Sequence, residues 1–131
     1  IGVKMGIPFP AGIGLENLAE KSEKIFKNKI KLNEGFCSLS GLENKCLKML
    51  ENGETQEDTA KFLLCYIADT ITAMTEYALG KFGELPVVFA GGVMSDKIIK
   101  DIITSRFDAS FAEPEFSCDN AAGIAFLTSL K

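Results

Sequence analysis

Two glycines between a short apolar run and a helix-like pattern are the first residues whose types and spacing suit ligand binding. In PVVFAGGVMSDKII, Gly91 and Gly92 directly follow a predicted strand and precede a predicted helix. Such glycines let phosphate or ribose groups approach the backbone amides and the positive end of the helix dipole. A tight bend that needs positive φ explains the same pair, and neither GxGxxG nor GxxxxGK[ST] is present. The pair alone leaves a ligand-facing turn and a structural bend both open.

A second pair of polar residues, Asp119 and Asn120, lies between the second predicted strand and the last predicted helix. A carboxylate at the carboxyl end of a strand in an open α/β sheet is well placed to meet a metal or a ligand. Viewed alone, the pair is better explained by helix capping through Asp119 or Ser117, and one carboxylate does not hold a catalytic metal that takes about three protein ligands. Gly12, in the turn PFPAGIG, is explained by ordinary loop chemistry when it is viewed singly.

The composition predicts a globular cytoplasmic protein with reduced thiols. The chain has 131 residues, of which 47% are hydrophobic, and its four cysteines form no CxxC pair. Its formal net charge is −4 and no dense Lys/Arg run appears, which argues against a sequence-independent grip on nucleic acid by this chain alone. It contains no histidine, so imidazole chemistry must come from elsewhere. No apolar stretch approaches the roughly 20 residues of a membrane span, so no membrane contact is expected.

The elements that must position these residues fall into two parts of one domain, residues 1–131. Residues 1–54 are predicted to be helical and irregular, with a helix over LENLAEKSEKIF, an extended segment over IKLNEGFCSLS and a short helix over GLENKCLKML. The first helix is expected to turn one face inward, formed by Leu15, Leu18, Ala19, Ser22 and Ile25. Residues 55–131 read helix–strand–helix–strand–helix, the pattern of an α/β unit.

Within the second part, a long helix is predicted from Thr55, as its cap, to about Phe82. Its inward face is predicted from the residues that repeat at helical spacing: Leu63, Ile67, Thr70, Ile71, Met74 and Ala78. PVVFA is predicted to be a strand buried on both faces, and ASFAEP a second strand. Ser95 or Asp96 is expected to cap a helix whose Ile98, Ile99, Ile102 and Ile103 face inward, and CDNAAGIAFLTSL is predicted to form the last helix.

The order of these motifs resembles the C-terminal half of the glycoprotease family, also called O-sialoglycoprotein endopeptidase-like. Its best-understood members are tRNA threonylcarbamoyladenosine transferases. The resemblance covers essentially the whole chain and rests on GIPFPAGIGLENLA, CSLSGLENK, VVFAGGVMSDKII and SCDNAAGIA, of which the last two are specific. It implies the second lobe of a two-lobed, actin/Hsp70-like ATPase (ribonuclease H-like) fold. The chain would then be a fragment of a longer protein.

The resemblance also assigns roles to residues. Gly12 matches a glycine that contacts the nucleotide-like substrate, and Gly91 and Gly92 match the family's Gly-Gly-Val. Asp119 takes the place of the aspartate that binds the metal with two histidines of the first lobe, and Asn120 is expected beside the same ligand. The implied cofactors are ATP or an acyl-adenylate and one divalent metal: iron, zinc or magnesium.

The chemistry implied is transfer of a threonylcarbamoyl group from its adenylate to a tRNA adenosine, in which a metal polarises the carbonyl. The older protease (hydrolase) label has no support here, because no HExxH motif is present. In a departure from the family, Asp96 takes the place of an asparagine that holds the same nucleotide-like substrate, and its carboxylate lacks the amide donors and adds negative charge near a negatively charged ligand. Met94 and Gly123 depart too, and CSLSGL lacks the usual aromatics. These departures indicate a divergent paralogue and leave two hypotheses: an active transferase, or an inactive binding or scaffold partner.

The expected partners follow from the two-lobed arrangement. They are the first lobe of the same protein, a related paralogue, and tRNA only in the intact protein. This piece alone is expected to be inactive. Because the cleft would lie between lobes, it is also expected to expose an apolar face and to self-associate.

Overall fold

A computed structural model describes residues 1–113 and Thr128 of the chain. Within these residues the protein is α/β, with four α-helices and a small parallel sheet. In chain order the elements are α1 (Gly12–Ala19), α2 (Leu42–Glu51), α3 (Gln56–Phe82), β1 (Val87–Phe89), α4 (Lys97–Thr104) and β2 (Ala109–Phe111), with short 3-10 helices at Val3–Met5 and Gly92–Ser95. The helix predicted over CDNAAGIAFLTSL lies outside the described residues, apart from Thr128.

The long helix α3 confirms the prediction at both ends. Thr55 caps it, since its side-chain oxygen accepts the Asp58 amide at 3.1 Å, and Gly83 ends it at φ +87°. The buried stripe is centred on Ala60, Leu64 and Ala68, one position along from the stripe predicted through Leu63, Ile67 and Ile71. Packing against α1 and α4 selects this face, with Ile67 and Ile71 at its margin. The list of predicted inward residues also included Met74 and Ala78, which are exposed, and Thr70, which is buried.

Helix α1 begins earlier and ends sooner than predicted. It runs over Gly12–Ala19, whereas the pattern predicted a helix reaching Phe26. Ser22 is buried as expected, but its hydroxyl donates to Asp58 on α3 at 2.6 Å instead of lying on a helix. Ile25 is 85% exposed rather than inward-facing. Tertiary hydrogen bonds to α3 therefore replace the last two turns that the periodicity predicted.

The region between α1 and α3 is mostly irregular. The segment predicted to be extended contributes a single antiparallel bridge, Asn33 with Phe36, and no strand among the described residues. Helix α2 confirms its prediction, because Leu42 and Cys46 are buried and Gly53, at φ +86°, follows its end.

The sheet consists of β1 and β2 in parallel, joined by the crossover helix α4. Phe89 pairs with Phe111, and their rings stack with centroids 5.3 Å apart against the core. The expectation that β1 is buried on both faces is wrong, because Val88 is 67% exposed. Only one face of this two-stranded sheet is covered by the core helices within the described part of the chain.

The core joins both halves of the chain. Its centre on the α4 side is Ile99 and Ile103, which are 1% and 0% exposed and confirm the inward face predicted for that helix. Met5, Ala19 and Met94 reach the same cluster from the N-terminal turn, α1 and the 3-10 helix after β1. None of the helices in the described residues is long and apolar enough to cross a membrane.

Candidate functional site

The Gly91-Gly92 turn connects the carboxyl end of β1 to the 3-10 helix before α4. Gly91 has φ +109° and ψ 156°, a conformation that L side chains rarely adopt. No heavy atom lies within 4 Å of the position that a Cβ at Gly91 would occupy. Backbone conformation thus explains why a glycine stands here, and the space beside it is open to a ligand.

The carboxyl ends of β1 and β2, called here the strand exits, lie next to each other. The amide of Ala112, the residue after β2, donates to the carbonyl of Phe89, the last residue of β1, at 2.8 Å. Gly91 follows two residues later, and Ala112 leads into the segment that contains Asp119 and Asn120 in sequence. The two motifs therefore start from neighbouring points on one edge of the sheet.

Asp96 forms the N-cap of α4. Its Oδ1 accepts the Ile99 amide at 3.0 Å, so the expected cap is Asp96 rather than Ser95. Burial of the carboxyl raises its pKa above the usual range, and the neighbouring carboxylates of Glu16 and Glu20 raise the pKa further. Asp96 is thus a half-buried acid held in place by a backbone amide and facing two like charges.

Helix α1 lies beside the first turn of α4. Glu16 on α1 accepts the backbone amide of Lys97 at 3.3 Å, and the Lys97 ammonium is 3.7 Å from a carboxylate oxygen of Glu20. Gly12 is the first residue of α1, is exposed, and has no heavy atom within 4 Å of a built Cβ. The structure therefore places the helix that Gly12 opens next to the capped end of α4.

The predicted metal site falls outside the described residues, because Asp119 and Asn120 belong to the segment that follows residue 113. Among residues 1–113 and Thr128, no group of three or more His, Cys, Asp or Glu side chains is arranged to hold a metal ion. The metal remains a prediction that rests on Asp119 and on ligands from outside this chain.

The thiols in the described part show no features of nucleophiles. Cys46 and Cys65 are buried and Cys37 is half-buried, and all three are free. Burial raises the pKa of both Cys46 and Cys65, which keeps them protonated and unreactive. Cys118 lies beyond the described residues.

A further surface, formed by exposed lysines, was not predicted from the sequence. Lys27, Lys29 and Lys31 are exposed, and the residues between them are half-buried. The available signal was lysine at every second position, which a whole-chain net charge conceals.

Comparison with known proteins then decides the family. The family described as "Carbamoyltransferase, Kae1-like Domain, second subdomain" matches residues 10–126. The chain belongs to this family. The predicted resemblance to tRNA threonylcarbamoyladenosine transferases is thereby confirmed, because proteins with those names match the Kae1-like chain across most of its length.

Three relatives illustrate the match. A tRNA N6-adenosine threonylcarbamoyltransferase of Bacillus licheniformis is 32% identical over 136 residues, covering 92% of this chain and 40% of its own. One of Methanopyrus kandleri is 28% identical over 128 residues, covering 94% and 37% respectively. A "probable bifunctional tRNA threonylcarbamoyladenosine biosynthesis protein" of Methanococcus maripaludis strain C7 is 31% identical over 130 residues, covering 95% and 24%. This Kae1-like chain thus spans between a quarter and two fifths of these relatives.

Proposed function

We propose that this Kae1-like chain is the nucleotide-binding lobe of a protein that transfers a threonylcarbamoyl group from an adenylate to a tRNA adenosine. The observation that carries the proposal is the junction of the two strand exits, where the Ala112 amide bonds the Phe89 carbonyl beside the open Gly91 turn. Ligands of open α/β sheets bind outside the carboxyl ends of the strands. The transferase names of the relatives supply the reaction class.

In this proposal the glycines accommodate the donor nucleotide. Backbone amides of Gly91 and Gly92 and the N-terminal end of α4 bind its phosphate, since helix N-termini favour anions. Gly12 and Asn120 contact the rest of the nucleotide. Asp119 would supply one ligand to a divalent metal, with histidines from outside the chain, and such a metal would polarise the donor carbonyl.

The fold assignment belongs to the same proposal. The β1–α4–β2 unit is a parallel crossover of the kind from which actin/Hsp70-like lobes are built, and we propose that the chain forms most of a second lobe. The exposure of Val88 leaves one face of the sheet uncovered, which supports a further layer or lobe packing on that face. A lobe partner would also cover the apolar groove of about 450 Å³ between the end of α3 and β1.

The charge distribution supports a second candidate function, an inactive paralogue that binds a related protein. Asp96, Glu16 and Glu20 place three carboxylates around the first turn of α4, and Lys97 is the cation paired with Glu20 there. This excess of negative charge opposes the binding of a phosphate at the same helix end. The two candidates differ in one measurable quantity, the affinity of the whole protein for ATP or an acyl-adenylate.

The experiment is calorimetric titration of the full-length protein with ATP, with and without divalent metal, on a pair of glycine variants. Gly12→Ala adds a methyl group where the fold leaves open space, so the helix tolerates it and only a bound ligand would collide. Gly80→Ala is the matched control, because Gly80 lies within α3 and also has no heavy atom within 4 Å of a built Cβ. Weaker binding of ATP by Gly12→Ala alone supports the proposal.

Two other outcomes decide against the transferase. Absence of ATP and acyl-adenylate binding in the unchanged protein, under every metal condition, removes the catalytic proposal and favours the binding partner. If Gly12→Ala and Gly80→Ala bind ATP with equal affinity, Gly12 is not part of the nucleotide site. Transfer of radiolabelled threonine-derived carbamoyl groups to a tRNA transcript then tests the reaction itself.

A further inference from the structure

The segment from Lys21 to Lys31 is strongly basic within an acidic protein. It carries five lysines and one glutamate, a surplus of four positive charges, while the whole chain has a formal net charge of −4. The remaining residues together therefore carry −8. The expectation that this chain lacks a cationic cluster fails at this segment, because opposite charges elsewhere cancel it in the total.

Along part of this segment, exposed lysines alternate with half-buried residues. It contains no helix, and exposure alternates along it: Lys27, Lys29 and Lys31 are exposed, and the intervening Asn28 and Ile30 are half-buried. We call these three lysines the lysine ladder.

The ladder is fixed to the body of the protein. The backbone and side-chain amides of Asn28 both donate to one carboxylate oxygen of Asp69 on α3, at 2.7 and 3.1 Å. The ring of Phe26 meets Phe62 of α3 edge-on, with centroids 5.6 Å apart. Because the backbone is anchored before a partner arrives, binding does not have to order it.

The charges of the ladder are free to meet a partner. Within residues 1–113 and Thr128, none of its three lysines is within ion-pair distance of a carboxylate. Lys24, in the same segment, instead bridges Glu54 and Asp58. The acid nearest the ladder's anchor, Asp69, already accepts the two Asn28 amides.

An exposed aromatic ring, Phe36, follows the ladder in the sequence. Asn33 and Phe36 close a turn with two backbone hydrogen bonds of 2.9 Å, and Phe36 is 75% exposed. Gly35, at φ +89°, lies so close to Tyr77 of α3 that a Cβ would be 2.5 Å from the ring. The turn is therefore seated on α3 with its phenylalanine presented to solvent.

We propose that the lysine ladder and Phe36 form a binding surface for a single-stranded segment of RNA. Each ladder ammonium binds a backbone phosphate, and Phe36 stacks on an unpaired base, the combination used by single-strand binding surfaces. The inference rests on the proposed function for the RNA substrate class and adds where this lobe contacts it. An anionic membrane is less well matched, because the segment has no amphipathic helix.

The test measures binding of a labelled tRNA transcript to the full-length protein by fluorescence anisotropy over a range of salt concentrations. The ladder variant is Lys27→Gln, Lys29→Gln and Lys31→Gln together. Its control removes three exposed lysines from outside the Lys21–Lys31 segment, Lys4→Gln, Lys48→Gln and Lys100→Gln, for the same change in net charge. We expect the ladder variant alone to lower the slope of log affinity against log salt by about 2, with roughly 10- to 100-fold weaker binding in low salt. The three Lys→Arg replacements should restore binding.

Phe36→Ala tests the stacking contact separately. We expect roughly 5- to 100-fold weaker binding of a short single-stranded RNA and unchanged binding of a duplex RNA. Equal loss in the ladder and control variants would mean that only net charge matters, and would overturn the proposal. Binding of the ladder to phosphatidylserine vesicles but not to RNA would overturn it in favour of a membrane surface. ATP binding and its dependence on Gly12 are measured apart, so loss of either proposal leaves the other measurable.

Discussion

Two substitutions of Asp96 distinguish the free-energy cost of burying its charge from the stabilisation that its helix cap provides. Its Oδ1 accepts the Ile99 amide at 3.0 Å, and an asparagine oxygen in the same place would accept that bond equally well. Asp96→Asn and Asp96→Ala both remove the charge, but only Asn keeps the bond. We therefore expect Asp96→Ala to unfold with a free energy about 1 kcal/mol lower than that of Asp96→Asn, measured by urea titration.

The contribution of Asp96 to the stability of the folded protein decreases as the pH rises. The pKa of Asp96 is raised in the folded state by burial and by Glu16 and Glu20, so the folded protein holds this proton more tightly than the unfolded chain. The stability that this provides is full below the usual aspartate pKa and falls as the pH rises through the raised value. Asp96→Asn should therefore gain stability relative to the unchanged protein at neutral pH, and this gain should vanish in acid.

The same variant reports on the ligand. If the nucleotide phosphate binds at this end of α4, removing one negative charge at a distance of about 4 Å strengthens binding by about 1 kcal/mol, or roughly fivefold, even with water-like screening. Asp101→Asn is the matched control, since Asp101 is an exposed acid on the same helix, outside the cap. Equal nucleotide affinity in both variants would refute the placement of the phosphate. Equal stability of Asp96→Asn and Asp96→Ala would refute the energetic role of the cap.

Three further predictions concern the body of the protein. Ile103→Ala, at a fully buried site, should lower the free energy of unfolding by roughly 2–5 kcal/mol in urea titration, and Ile13→Ala, at a 75% exposed site, by less than about 0.5 kcal/mol. Asp58→Asn should flatten the acid side of the stability profile, because the hydrogen bonds from Ser22 and Lys24 lower the Asp58 pKa and their stabilisation is lost as the pH falls; an unchanged profile would contradict this. Among the described thiols, Cys37 should react with a disulfide reagent before the two buried ones, as mass spectrometry would show.

Local sequence patterns correctly predicted the helices whose start and end signals lie within or directly beside the helix in the sequence. Helix α3 carries its own cap at Thr55 and its own glycine stop at Gly83, and both function as the sequence indicates. The isoleucine-rich face of α4 packs against the core as its spacing predicts, with Ile99 and Ile103 buried and Ile98 and Ile102 half-buried. The prediction for α1 was wrong beyond Ala19, because partners more than thirty residues away, such as Asp58, determine the path of that segment.

The candidate site shows the same division. The positions of Gly91 and Asp96, after a strand and at a helix start, follow from short patterns. The exposure of Val88, by contrast, depends on which faces of the sheet other elements cover. The lysine ladder was not predicted, because lysine at every second position does not by itself show which side chains are exposed, and the anchors of this segment to α3 decide that exposure.

The sequence by itself indicated the family, through the order of its motifs along the chain, and the helix caps and turn glycines, because each motif, cap and turn depends on residues close together in the chain. Only the tertiary structure decided that the exits of β1 and β2 adjoin, that α1 places Glu16 and Glu20 beside Asp96, and that Lys27, Lys29 and Lys31 are all exposed on a segment anchored to α3. These arrangements depend on packing and hydrogen bonds between distant segments. Their energies become favourable only when the whole chain has folded.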